Sequence, residues 1–456
     1  MANVTGFGAK GDGKTDDTAA IEHAIEKGDG LLEFPSGTFI IRKTLVIDLS
    51  RNSNSPIGIR GAAGTTTLVM RGGGPAIRLT GSHKGTADPK SWTDQTRLKE
   101  RFPSISGLEI RGEHKDAVGL ELVMTVKPTI QNILIRECRV GLHLRDRNRD
   151  VLIADSHIYN NTDFGIFLDH VNLHQMNICG CHISYNQAAA IAMVGGDLHN
   201  IQITGNDIEY SHSADLKRPD SADILIDSRN GIASEITIAS NTIQGRASVN
   251  GTNLKVVGRT GPDGFPSARL IAITGNILGS QSTSLHLQSA QRIAITGNTI
   301  YDGHTIGLLA RNCDGIAIAN NVHGWGHQPE RPRQDHYSLE NCQAVTITGE
   351  IFQNAGGGDA SSGGVIALKG CHHAAIGQVV IRDPQVRGIW LEDSSAVAIS
   401  GSVISTTRPD SKMIAAIEVS DSCRNISMSG NIVSQGQNSA IKCNLKSGRD
   451  FNTTIL

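Results

Sequence analysis

One phrase recurs along this chain: IQITGNDI at 201–208, IAITGNIL at 271–278, IAITGNTI at 293–300, IAIANNVH at 316–323, VTITGEIF at 345–352 and ISMSGNIV at 426–433. Weaker copies begin at 133, 151, 176, 236, 374 and 397, so the interval runs from 18 to 35 residues. Each copy is two alternating apolar–polar runs joined by a small-residue turn. Between copies lies another alternating run, such as GIFLD (165–169), DILID (223–227), SLHLQ (284–288), GLLAR (307–311) or GIWLE (388–392). Three short strands per coil cannot bury their apolar side alone, so coils must stack. Stacked at about 4.8 Å, they pair as parallel sheets, their inward Ile and Leu form columns, and their turn Asn residues ladder. The expected fold is all-β: a right-handed parallel β-helix, a single-stranded solenoid. Repeats made only of strands leave no crossover helices for a doubly wound sheet, and propeller blades need four strands in roughly 40–45 residues.

Composition agrees. Gly supplies 51 of 456 residues and aromatics only 4 %, as suits many tight turns around a narrow aliphatic interior. A net charge of −2 gives no footprint for nucleic acid or anionic lipid, and no run nears the roughly 18 apolar residues of a membrane span, so neither partner is expected. The opening MANVTGFGAKGDG lacks the basic and apolar regions of an export signal; the location expected is extracellular or periplasmic if a leader has been trimmed, otherwise cytoplasmic. The eight Cys form no C-x-x-C pair, the nearest being Cys179 and Cys181, and neither a metal nor a cofactor is expected. Cys313, Cys342 and Cys371 follow equivalent strands and should stack as small hydrophobes in one turn column.

Residues 8–15, GAKGDGKT, fit the phosphate-loop pattern G-x-x-x-x-G-K-[ST] letter for letter. Their surroundings argue against it. No buried strand of adequate length precedes Gly8, only NVTGF; no α/β units follow, and Asp12, Asp16 and Asp17 oppose an anion. The run TAAIEHAIEKG instead predicts a short amphipathic helix capped by Asp. Residues 1–50 are expected to form an N-terminal cap with the first strands, and 51–456 one continuous solenoid domain.

The stretch VTGFGAKGDGKTDDTAAIEHAI, followed by LLEFPSGTFIIRKTLVI, resembles the N-terminal capping region of the pectate-lyase-like β-helix superfamily. That superfamily includes polysaccharide lyases, glycoside hydrolases, mannuronan epimerases and phage tailspike depolymerases. The resemblance implies a polysaccharide or oligosaccharide substrate and a groove floored by the sheet preceding the longest turn. Homotrimers are common among the phage and fructotransferase members.

That sheet corresponds to the second run of each coil. Alternation turns outward Glu121, His143, Arg145, Phe167, Asp169, Asp223, Asp227, His286, Gln288, Arg311, Ser338, Glu340, Trp390 and Glu392. Long segments at 83–103, 209–222, 258–269 and 323–336 border it. Asp169 and Asp227 stand two coils apart, about 9–10 Å, which suits the carboxylates of an inverting glycosidase. Glu209 opens the loop entering the Asp227 coil, with Tyr185 and His212 in the equivalent turn region.

The first expectation is therefore a glycoside hydrolase with Asp169, Asp227, Glu209 and Tyr185 as catalytic residues. His143, Arg145, His212, His286, Arg311, His336 and Glu340 are its expected substrate contacts. Alternatives are a uronate lyase or epimerase using His143, Arg145, Tyr185, His286 and Arg311, an inulin-fructotransferase-like transferase, and a non-catalytic glycan-binding solenoid. The DPHE string of mannuronan epimerases is absent, as is a compact Asp cluster for calcium. Arg145 with Asp169, and Arg311 with Glu340, equally suit surface ion pairs, and Trp390 suits a sugar platform or oligomer contact.

Overall fold

The computed structural model describes residues 2–51, 57–85, 88–211, 222–248, 250–261, 264–324 and 336–445, and the backbone of 451–454. Where the sequence leads one to expect a single domain from residue 51, the chain groups into two compact units. Among the described residues the first comprises 2–211 with 222–237 and the second 238–454, and each is described by itself.

In the first unit each coil contributes to three walls, whose described strands pair in parallel. The first wall is built from Gly74–Thr80, Ala117–Val126 and the leading parts of Val140–Ala154, Phe164–Cys179 and Ala189–Thr204. The trailing parts of the last three strands form the second wall, reached through a register shift after Arg145. At that corner Asp146, His170 and Gly195 all take left-handed backbone, a conformation that Asp, His and above all Gly tolerate. The third wall stacks Glu109–Gly112, Leu134–Arg136, His157–Tyr159, His182–Ser184 and Asp207–Glu209.

Alternation then decides burial. Leu120, Leu142, Ile166 and Ile191 share one register position and Leu122, Leu144, Leu168 and Met193 another, all fully buried. The helix Thr18–Lys27 packs Ile21 and Ala24 inward. Its preceding Asp17 does not cap it through the side chain. The Asp17 carboxylate accepts the N–H groups of Lys10 and Gly11 at 2.6 and 3.1 Å, and Asp12 accepts those of Lys14 and Thr15 at 2.9 and 2.8 Å. The amides a phosphate would need are thus taken by the protein's own carboxylates.

The second unit repeats the plan, for instance with Thr283–Gln288, Ile306–Arg311 and Tyr337–Glu340 on its first wall. The recurring GN of the phrase finds its purpose here. The Oδ1 atoms of Asn276, Asn298 and Asn321 each accept both the backbone N–H and the side-chain NH₂ of the preceding Asn, at 2.8–3.0 Å. Glu350 ends the stack, accepting both donors of Asn321 at 3.0 Å, while its other oxygen accepts the Tyr337 hydroxyl. Cys313, Cys342 and Cys371 are buried free thiols, as expected of an interior column.

Replacing Asn276 by Leu removes the acceptor for Asn241 and the donors to Ile238 and Asn298. Because buried partners are then left unsatisfied, the variant should lose about 1–3 kcal/mol, read as a lowered denaturant midpoint.

Candidate functional site

Outward positions on the first wall of the first unit fall into columns. Arg78, Glu121, His143 and Phe167 occupy one, and Val123, Arg145, Asp169 and Val194 the next. The first column is tightly bonded. Glu121 accepts Nε of Arg78, and its Oε1 lies 3.5 Å from His143 Nδ1 and 3.6 Å from Arg145 Nη1. His143 stacks face to face on Phe167 at 5.2 Å, and Phe167 on Phe164 at 4.4 Å. Although they point away from the axis, Glu121 and His143 are almost fully covered, with side chains 4 % and 9 % exposed.

Burial raises the Glu121 pKa, but His143 and Arg78 outweigh it and hold the carboxyl down to about 2. Asp169 is held low in the same manner: burial opposes, while His170 and His143 prevail. Its Oδ2 lies 3.2 Å from His143 Nε2, and its Oδ1 2.7 Å from His170 Nδ1. An ionised carboxylate only accepts, so Nδ1 of His170 carries the proton and, in the neutral ring, the Nε2 lone pair is available. The His170 side chain is 58 % exposed. A Cβ on Gly195 would come within 2.5 Å of this ring, so glycine there makes room for it.

Asp227 lies on the same wall, but as a clamp. Its carboxylate accepts the backbone N–H of Arg229 at 3.1 Å and the guanidinium at 2.9 and 2.5 Å. Among the described residues of 81–103, Gly81 and His83 tie this segment to the wall's trailing edge, donating to the carbonyls of Val123 and Met124. Trp92 of this segment underlies Lys127 and Arg149 at 5.1 and 4.7 Å. His83 is buried, which together with Arg147 and Arg149 brings its pKa down to about 4.

The structure corrects several expectations. Glu209 does not share a wall with Asp169 and Asp227: it sits in Asp207–Glu209 on the third wall, because it belongs to the second half of a recurring phrase and not to the groove strand. Tyr185 is there too, donating its N–H to the Glu209 carbonyl and stacking on Tyr210 at 5.8 Å. Arg145 reaches Glu121, not Asp169. Asp223 is buried and accepts the N–H of Ser211. His212 lies outside the described residues.

The remaining expected contacts belong to the second unit. Arg311 and Glu340 form the anticipated ion pair, at 2.8 and 3.2 Å, and Lys369 pairs with Glu392 at 2.9 Å two rungs on. His286 is half-buried in register with Lys255 and Leu309. His336 serves a turn, its carbonyl accepting the N–H groups of Gly307 and Leu308. Trp390 is covered, at 8 % exposure, and offers no open platform.

Sequence reasoning passed over Arg78, His170 and Arg229. Arg78 was accessible to it, standing at the outward position of AIRLT; the other two sit beyond the alternating run, where alternation says nothing. It also passed over the second-wall pair His174 and His199, 25 residues apart like the repeats themselves and stacked at 4.8 Å.

A family profile described as "Rhamnogalacturonase A/epimerase, pectate lyase-like" matches residues 1–213, and one described as "Right handed beta helix region" matches residues 283–455. Among curated proteins none matches the chain significantly. Among solved structures, ORF18 of Geobacillus virus E2 is similar with a TM-score of 0.53 and 18 % identity, over 71 % of this chain; the chain spans 61 % of that protein. The Dettilon tailspike protein gives 0.51 at 16 % identity over 97 % of this chain and 68 % of its own. A tailspike of E. coli bacteriophage HK620, in complex with a pentasaccharide, gives 0.50 at 11 % identity over 99 % and 80 %. At these identities the likeness is one of fold.

A carboxyl depressed by its partners stabilises the fold above its unfolded pKa, and that contribution fades as pH falls through the folded value. For Glu121 the window runs from about pH 5 down to about 2 and is worth about 3 kcal/mol. Glu121→Gln should therefore be less stable than the parent near neutrality, with the gap closing toward pH 2, as measured by denaturant melts across that range.

Proposed function

The chain belongs to the pectate-lyase-like right-handed parallel β-helix superfamily, and from that premise we propose that it is a carbohydrate-active enzyme acting on a uronate-bearing glycan by proton abstraction. The observation that carries this reading is the exposed His170 imidazole, oriented by Asp169 at 2.7 Å, on a wall that also carries Arg145 and Arg229, each with its side chain 47 % exposed. Nε2 of His170 would take the proton α to the sugar carboxylate. An arginine would neutralise that carboxylate and the charge that builds on it. The proton then passes to the departing glycosidic oxygen in an elimination; in an epimerisation His170 releases it to solvent while water supplies another to the opposite face.

Hydrolysis by paired carboxylates fits less well. It requires one carboxyl to keep its proton, whereas Asp169 is held below the ordinary carboxylate range and Asp227 is forked by Arg229. Further support for a glycan comes from the similar proteins: the matching family is described as rhamnogalacturonase A/epimerase, and one structural relative is a tailspike in complex with a pentasaccharide.

A polysaccharide panel should separate the readings, scored for reducing ends, for the ultraviolet absorbance of an unsaturated uronide, and for solvent-deuterium incorporation at C5. The expected result is absorbance or deuterium uptake on a uronate polymer. His170→Ala should lower kcat by about 10²–10⁴-fold, and Asp169→Asn should also shift its pH profile. Reducing ends without either signal, and indifferent to His170→Ala, would establish hydrolysis instead; saturable binding with no covalent change would establish a binding solenoid.

A further inference from the structure

We propose that His182, Asp207 and Glu209, on the third wall of the first unit, form a binding site for a divalent transition-metal ion. Stacking creates the site. His182 pairs with Asp207 across adjacent rungs, and Ser184 with Glu209, so Glu209 lies two residues beyond Asp207 on the same face. Nε2 of His182 stands 3.7 Å from Oδ2 of Asp207 and 3.9 Å from Oε2 of Glu209, and all three atoms lie within 4.8 Å of one another.

Those separations are too long for hydrogen bonds, and Nε2 makes none although it is sealed from solvent. A polar nitrogen facing two carboxylate oxygens across this gap has its needs met by a cation. An ion about 2.1 Å from each ligand requires ligand atoms about 3.0–3.5 Å apart, so each carboxylate needs to close on His182 Nε2 by a few tenths of an ångström. His157 packs edge-on against the His182 ring at 5.8 Å and helps fix its orientation.

The donor set selects the ion. One imidazole nitrogen favours zinc, cobalt, nickel or manganese over calcium, and two carboxylates balance a divalent charge. Three protein ligands, with the Asp207 side chain about half exposed, leave further positions open to water. The superficially similar trio of His174, Asp197 and His199 differs. There His199 Nε2 already bonds Asp197 at 3.0 Å, Asn172 donates to the other Asp197 oxygen at 3.0 Å, and Arg147 and Arg149 stand near His174. A cation finds Asp197 and His199 already bonded and positive charge beside His174.

The test is calorimetric titration of the whole chain, after dialysis against chelator, with zinc, manganese or cobalt chloride, with calcium chloride as comparison. One equivalent of a transition metal should bind saturably. Asp207→Asn and Glu209→Gln should each weaken it about tenfold or more, His182→Gln should abolish it, and His199→Gln should leave it unchanged. Circular dichroism would verify that each variant keeps its strand content, and cobalt should give a visible spectrum that His182→Gln removes. The proposal is overturned by no saturable uptake, by uptake that survives His182→Gln, by uptake lost in His199→Gln, or by calcium binding as tightly as zinc.

Discussion

Parallel hydrogen bonding between successive rungs is the interaction on which everything else in each unit rests. No rung has enough apolar surface to fold alone. Once stacked, its inward leucines and isoleucines become fully buried columns, and its turn asparagines find partners directly above and below. The amide stack matters because a tight corner inside the solenoid buries donors and acceptors that water cannot reach. A side-chain amide, with one strong acceptor and two donors, satisfies the rung on either side at once, which is why the phrase returns to GN.

The same stacking governs the outer surface. Residues at equivalent positions are brought within one strand spacing, so like charges in a column would repel and unlike charges pair. Arg78 over Glu121 over His143, and Arg311 over Glu340 with Lys369 over Glu392, follow that rule. Such exposed pairs add little stability, but where a column is also covered, as at Glu121 and His143, the groups are fixed rigidly. His170 gains its orientation from this rigidity: Asp169 is held from one side by His143 and holds His170 on the other.

Much of this was legible in the sequence. The recurring phrase led to the fold, the aspartates in and after GAKGDG argued correctly against a phosphate loop, and period-2 alternation turned His143, Arg145 and Asp169 onto one wall. What it could not supply was the corner geometry. His170 and Arg229 lie where the strand bends, and the left-handed backbone of His170 takes it out of the alternation altogether. Glu209 went astray for the opposite reason. It was read as the start of a loop, whereas it closes the short strand Asp207–Glu209 beyond the Gly205 corner, so the end of a repeat copy was mistaken for a loop. The metal trio was hidden because its members come from two copies whose side chains meet only after stacking.

Register in these stacks is unforgiving to one kind of change and indifferent to another. Losing one residue from within 164–169 would rotate Phe167 and Asp169 toward the axis and push apolar neighbours into water. Losing or copying 25 residues, the offset from Phe164 to Ala189, would keep every other side chain facing its own wall. Such a chain can lengthen or shorten by whole storeys, carrying a corner such as Asp169–His170 up or down its height without rebuilding it.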